Sequence, residues 1–250
     1  MKTVAIVQAR MSSTRLMGKV LLDVLGRPLL FRVFERIQPA KNIDEIVVAT
    51  SDRTEDQPIA DFCAEYGFSC FRGSHNDVLN RFMQGAALHR ADVIVRLTAD
   101  CPLLDPQVIQ KIVSEYREGD FDFVSNTLER TYPDGLDTEV FSFDALKQAH
   151  RESKKPSERE HVTPFIYNHP ERFRLKNIKN EKNLSAYRWT VDEPRDLAFV
   201  RAVYAYMGDR LFGMDDVIRL LTEHPELSTI NAGIGCNEGY KQSLLIDALR

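Results

Sequence analysis

The sequence predicts an α/β fold: a mostly parallel sheet with helices on both faces. Three observations carry this. From residue 3 to residue 126, short apolar runs rich in β-branched residues alternate with stretches of helical spacing. The apolar runs are mostly continuous, as strands covered on both faces require. The chain has 250 residues, 43% hydrophobic and 28% charged, enough for one core of this kind in a soluble domain.

The elements follow in order. Thr3–Ala9 is β-branched and ends at a polar loop, so it reads as the first strand. Pro28–Ile37 sets Leu29, Leu30, Val33, Phe34 and Ile37 at helical spacing. Glu45–Thr50 reads as a second strand and Gln57–Tyr66 as a second helix. Phe68–Arg72 is a short strand and Val78–His89 a helix. Asp92–Thr98 is a strand closed by Asp100-Cys101-Pro102, and Pro106–Tyr116 is a helix with proline suited to its first turn. Phe121–Asn126 is again extended.

The second half is less regular. Leu136–Phe143 alternates like a strand, and Glu158–Asn168 reads as a helix. Phe173–Ile178 and Tyr187–Val191 read as extended; Arg195–Met207, Asp215–Glu223 and the tail from Asn237 read as helices. No linker interrupts the chain, so residues 1–250 are expected to form one domain, with a less regular part at about 130–190. Lys154–Glu160 is expected to be a polar excursion.

Several classes fall away. The net charge of −4 lacks the basic excess of a protein that grips nucleic acid broadly. No apolar run approaches the ~18 residues of a membrane span. The apolar start is too short for a signal-peptide core, so a cytoplasmic location is expected. Cys63, Cys70, Cys101 and Cys236 form no C-x-x-C pair and read as free, buried thiols. No repeat is present.

In parallel sheets ligands bind at the carboxyl ends of the strands. The loop after the first strand runs Ala9-Arg10-Met11-Ser12-Ser13-Thr14-Arg15-Leu16-Met17-Gly18-Lys19. Arg10, Arg15 and Lys19 are interleaved with hydroxyls, which suits a triphosphate or pyrophosphate. The loop is neither a Walker P-loop nor a dinucleotide fingerprint, since G-x-x-x-x-G-K-[ST] and G-x-G-x-x-G are both absent. Asp100 ends an apolar strand, where it serves either as an N-cap or turn residue before Pro102 or as a carboxylate facing the crevice. Asp192 precedes Glu193-Pro194, where it is either a helix cap or a second such carboxylate.

Val7-Gln8-Ala9-Arg10-Met11-Ser12-Ser13-Thr14-Arg15-Leu16, followed by Gly18-Lys19-Val20-Leu21, resembles the N-terminal signature of the cytidylyltransferases that activate acidic sugars. These include the CMP-Kdo and CMP-sialic acid synthetases, and the nearest branch is that of spore-coat polysaccharide biosynthesis protein F. Met17 stands where that family usually has proline. The resemblance continues through Phe71–Ser74, Leu97–Pro102, Tyr132-Pro133, Gly135–Asp137, Glu139–Phe141, Glu160–Pro164 and Trp189–Asp192.

The resemblance implies a Rossmann-like (GT-A-like) domain of the nucleotide-diphospho-sugar transferase type. Its less regular part would bind the sugar and serve dimerisation. It implies transfer of CMP from CTP to an acidic 2-keto sugar, with release of pyrophosphate, for surface polysaccharide biosynthesis. Asp100 and Asp192 would hold Mg²⁺. Arg10, Lys19 and Asp100 would carry the catalysis, with Ala9, Ser12, Arg15, Arg72 and Gly73 binding nucleotide. Glu139, Arg159 and His161 are candidates for the sugar, and Arg188 beside Arg159 for its carboxylate. CTP and an acidic sugar would be the partners, with no nucleic acid or membrane, and a homodimer is expected.

Two other readings compete. A GT-A glycosyltransferase would carry Asp-x-Asp after a central strand; here the tripeptide is Thr98-Ala99-Asp100. Asp120-Phe121-Asp122 has the pattern, but at the start of a strand, so Asp120 reads as a solvated turn residue. The third reading is a non-catalytic nucleotide-sugar binder.

Overall fold

The computed structural model describes residues 1–235 and 238–249. Among these, seven strands form one sheet: β1 (Thr3–Gln8), β2 (Glu45–Ser51), β3 (Ser69–Gly73), β4 (Val93–Thr98), β5 (Phe123–Ser125), β6 (Glu139–Ser142) and β7 (Leu175–Asn177). Their order is β3-β2-β1-β4-β6-β5-β7. Every pairing is parallel except those of β6, which runs antiparallel to both β4 and β5.

Alternation along the strands divides the core into two layers. Val93, Val95 and Leu97 of β4 face one layer, closed by α1 (Leu29–Ile37), α2 (Gln57–Tyr66), α4 (Pro106–Glu118), α8 (Pro194–Met207) and α9 (Met214–Glu223). Ile94 faces the other, closed by α3 (Val78–Leu88), α5 (Phe143–Glu152), α6 (Pro156–His161) and α7 (Pro164–Tyr167). Trp189 is fully buried in the first layer, the core role its type suggests.

The first half matches the sequence reading within a residue or two at most boundaries. The second half departs from it. The single helix expected at Glu158–Asn168 is two, α6 and α7, divided at Val162 with φ 72°. Lys154–Glu160 is not an excursion: α6 occupies most of it, and Glu158 accepts the amide N–H groups of Lys154 and Lys155 at 3.2 and 3.3 Å. Tyr187–Val191 enters no strand; only Arg188 bridges to Asp134. The remaining extended segments are shorter than expected because β5 and β7 keep three residues each. A final helix, α10 (Glu238–Ala248), packs on α6, where Asp247 accepts from the Ser157 N–H at 3.0 Å. Cys236 and Asn237 lie outside the described residues.

Candidate active site

Strand order reverses between β1 and β4, and the carboxyl ends of such neighbours are where an open α/β sheet forms its ligand crevice. The loop after β1 enters it from one side and Asp100, just past β4, from the other.

Lys19 stands at the centre. It begins a short 3-10 turn, Lys19–Leu21, and is only 8% exposed. Its Nζ donates to Asp100 Oδ2 at 2.7 Å and to Asp192 Oδ1 at 2.8 Å. Two carboxylates 92 positions apart in sequence thus converge on one ammonium. Burial opposes the charge on Lys19, yet the two carboxylates raise its pKa above the ordinary value. Burial likewise opposes ionisation of Asp100, but Lys19 and a hydrogen bond from Thr98 Oγ1 at 2.6 Å bring its pKa down to about 2. Asp100 is therefore an anion at any working pH.

Neither carboxylate is spent on capping. The cap of α4 is Asp105, which accepts from the Gln107 N–H at 2.7 Å, and the cap position of α8 is Glu193. The amides of Asp192 and Glu193 are instead accepted by Asp196 Oδ2, both at 3.0 Å. The capping alternatives left open for Asp100 and Asp192 are thereby excluded.

A buried framework holds Asp192 in place. Arg188 pairs with Asp196 at 2.9 and 3.1 Å, and its Nη2 donates to Asp192 Oδ2 at 3.0 Å. Asn231 donates to Asp196 Oδ1 at 3.0 Å. The Val191 N–H donates to the Asp100 carbonyl at 2.8 Å, tying the two carboxylate-bearing segments together. Gly135 lets this segment approach closely: with φ 113°, a Cβ there would lie 2.7 Å from the Thr190 nitrogen.

The other residues singled out by sequence are distributed around this centre. Arg15 reaches Asp192 at 3.1 Å and Glu193 at 3.9 Å. Arg10 is exposed and lies 3.8 Å from Glu160. Ser12 is exposed, whereas Ala9 is buried and its N–H bonds to the Ala49 carbonyl at 3.2 Å. Arg72 and Gly73 line an open cleft of about 490 Å³ with Arg53, His75 and Asn76. The Arg72 guanidinium donates to the Ser51 carbonyl at 3.1 Å and the Arg53 carbonyl at 2.8 Å. A Cβ on Gly73 would meet Phe71 at 2.9 Å and Arg81 at 3.2 Å.

Glu139 and His161 belong to a separate cluster behind Arg10, described below. Arg159 does not join them: it is held by Asp77, the cap of α3, and by the His150 carbonyl at 2.7 Å. Arg188 is likewise committed to its framework. Asp120 is exposed and pairs with Arg174 at the amino end of β5, away from the crevice.

A cationic loop beside two converged carboxylates at the switch point has donors of the kind a polyphosphate takes. A family model described as cytidylyltransferase matches residues 4–208, four-fifths of the chain and all of this site. The chain belongs to the cytidylyltransferase family. It is an enzyme of the nucleotidyltransferase class. It is 36% identical over 236 residues to an uncharacterized protein, MJ1063, of Methanocaldococcus jannaschii, covering 94% of this chain and 96% of that one. It is 32% identical over 234 residues to the spore coat polysaccharide biosynthesis protein SpsF of Bacillus subtilis, covering 90% and 95%. The structure of a cytidylyltransferase from Leptospira borgpetersenii superposes with a TM-score of 0.89 at 32% identity, covering 94% of this chain and 99% of that one.

Sequence reasoning missed Asp56, Arg96, Asp134 and Asp196. Asp56 is 1% exposed and accepts from the Met11 N–H at 2.6 Å, pinning the cationic loop to the end of β2. Arg96 had a legible signal, a charge inside the apolar run of β4. Asp134 and Asp196 had none, because their partner Arg188 sits on a segment without regular structure. Among the described residues, no helix is long and apolar enough to cross a membrane.

Proposed function

We propose that this cytidylyltransferase is Mg²⁺-dependent and transfers CMP from CTP to the anomeric hydroxyl of an acidic 2-keto sugar. The hydroxyl oxygen attacks the α-phosphorus, the bond to the bridging oxygen breaks, and pyrophosphate leaves. The observation that carries the reading is the convergence of Asp100 and Asp192 on Lys19. Two carboxylates converging on one place are a hard-oxygen donor set of the kind Mg²⁺ takes. Asp100 and Asp192 would hold the ion, which supplies polarisation of the α-phosphate.

The chain's own residues do the rest. Lys19 stands beside both carboxylates, where its ammonium would also meet phosphate oxygens. Arg15, which reaches Asp192, and Arg10, on the same loop, would neutralise the charge that builds on the leaving pyrophosphate. Asp56 fixes the loop that carries Arg10. Arg72 and Gly73 border the cleft we assign to the nucleotide base. The product would serve polysaccharide biosynthesis, as the resemblance to the spore-coat branch supports. We place the enzyme in the cytoplasm, where thiols such as Cys63, Cys70 and Cys101 stay reduced. We further propose a homodimer; light scattering at micromolar concentration checks it, and a monomer contradicts it. Tyr132–Phe143, polar and aromatic in sequence, does not supply its interface, because it is buried within this chain, with β6 paired on both edges.

The function is tested by pyrophosphate release with each of the four nucleoside triphosphates against a panel of acidic keto sugars, with Mg²⁺. Release with CTP and at least one sugar acid is expected. Release with another triphosphate in preference to CTP, or with none, would overturn the reading.

A further inference from the structure

Strand β4 carries a charge in its middle. Arg96 lies opposite Ile6 of β1 and Glu139 of β6, on the side of the sheet that faces α3 and α5. A charge at such a place must be paired. Arg96 Nη1 donates to Glu139 Oε2 at 2.5 Å, and Glu139 Oε1 accepts from Thr163 Oγ1 at 2.9 Å. The remainder of the guanidinium is under-used. Among the described residues, Nη2 reaches only Gln8 Oε1, at 3.5 Å, the margin of a hydrogen bond, and Nε is buried with no partner. The Arg96 side chain is 15% exposed, and that of Glu139 7%. Donors left unmet in a nearly buried guanidinium are costly unless something else meets them.

The surroundings point to what that is. Thr98 follows Arg96 by two residues, so it shares its face, and it bonds to Asp100. The cluster therefore adjoins the carboxylates of the active site. On its other side stands α6. His161 Nε2 and Ser243 Oγ are 3.0 Å apart, Ser243 Oγ donates to Glu160 Oε2 at 3.0 Å, and Glu160 faces Arg10 at 3.8 Å. Val162 is fully buried with φ 72° and ψ −55°, a conformation that a β-branched residue adopts only under constraint. That turn separates His161 from Thr163 and directs both into the cluster.

Arg96 and Glu139 balance each other in charge. Burial, with Arg96 and Arg10 nearby, holds His161 neutral. A balanced set that both donates and accepts is matched to hydroxyl groups, which do both. A carboxylate would be better served by excess positive charge. We propose that Arg96 and Glu139 form the floor of the acceptor subsite and select a polyhydroxylated sugar through its ring or side-chain hydroxyls. This rests on the nucleotidyl-transfer reading above.

The test uses the double variant Arg96→Gln/Glu139→Gln, which removes both charges and leaves neither unpaired. Pyrophosphate release is measured with CTP and the best sugar acid, its deoxy analogues and its methyl ester. The KM for the sugar should rise roughly 10- to 100-fold, with the KM for CTP within about twofold. The variant should lose discrimination against a deoxy analogue and keep the wild type's response to the ester. Arg96→Lys, which keeps charge but not the fork, should recover only part of the loss. Equal changes in both KM values, an unchanged sugar KM, or lost discrimination against the ester alone would overturn the proposal. So would a wild type that no sugar in the panel activates. Stabilisation of that wild type by CTP with Mg²⁺ would still leave the nucleotide part of the functional reading standing.

Discussion

Two charged clusters share strand β4, and they are built oppositely. The cluster past its carboxyl end gathers Asp100 and Asp192 on Lys19, at a place reached by loops from three parts of the chain. The cluster in its middle pairs Arg96 with Glu139 inside the sheet, with Thr163 on the remaining carboxylate oxygen. The first holds one cation between two carboxylates. The second is self-compensated. Charge chemistry belongs to the first and shape recognition to the second. The difference teaches that a buried ion pair and a buried ion site are distinguished by what remains when one member leaves.

The largest expected effect is on the framework beneath the first cluster. Asp196 is fully buried and accepts from Arg188, Asn231 and two backbone amides. Asp196→Ala removes the most buried of the carboxylates on Arg188 and leaves the Asp192 and Glu193 amides without their acceptor, and should cost about 3–5 kcal/mol of stability, read by urea unfolding. A loss below ~1 kcal/mol would show that the first cluster does not depend on this support.

Next comes Lys19→Ala. It should lower pyrophosphate release by ~10²–10³, the usual cost of a lost charge contact in the transition state. It also leaves Asp100 and Asp192 facing each other without their cation, so Mg²⁺ alone should raise its melting temperature more than it raises that of wild type. Glu139→Gln should show no such response to the ion. A Mg²⁺ response in both variants, or in neither, would erase the contrast between the clusters.

The smallest effect is a pH dependence from the second cluster. Burial, together with Arg96 and Arg10, lowers the His161 pKa to about 4, against the opposing pull of Glu160 and Asp247. The unfolded chain, with histidine near 6.5, takes up a proton before the native one does. Stability from this group is thus present above pH 6.5 and is lost as pH falls towards 4, by on the order of 1–3 kcal/mol. Urea midpoints at pH 7 and pH 5 measure it, and His161→Gln should flatten the difference. An unchanged slope in that variant would contradict the burial of a neutral ring.

The two clusters were not equally legible in the sequence. Lys19, Asp100 and Asp192 sit beside strand ends, and position at a strand's carboxyl end is a signal that a single chain displays. The parallel half of the sheet was readable for the same reason: Leu29, Leu30, Val33, Phe34 and Ile37 mark their helix by period alone. The second cluster joins β4, β6 and the α6–α7 turn, and nothing local announces a meeting of residues 96, 139 and 163. Glu158–Asn168 reads as one helix only if Pro164 is passed over; the structure begins α7 at that proline and turns the chain just before it, at Val162. Arg159 looked as available as Arg188, yet both are consumed by carboxylates that sequence does not pair with them.

The account stands or falls on Asp100 as a metal-holding carboxylate beside a triphosphate. A triphosphate brings about four negative charges towards Asp100 and Asp192, which is unfavourable without a cation between them. The direct measurement is the thermal melting of wild type and Asp100→Asn, each with CTP, with and without Mg²⁺. CTP at a hundredfold excess over its Kd should stabilise the wild type by roughly 2.7 kcal/mol, a shift of a few degrees, only when Mg²⁺ is present. Asp100→Asn should lose most of that gain. Equal stabilisation of the wild type by CTP in EDTA would contradict the assignment.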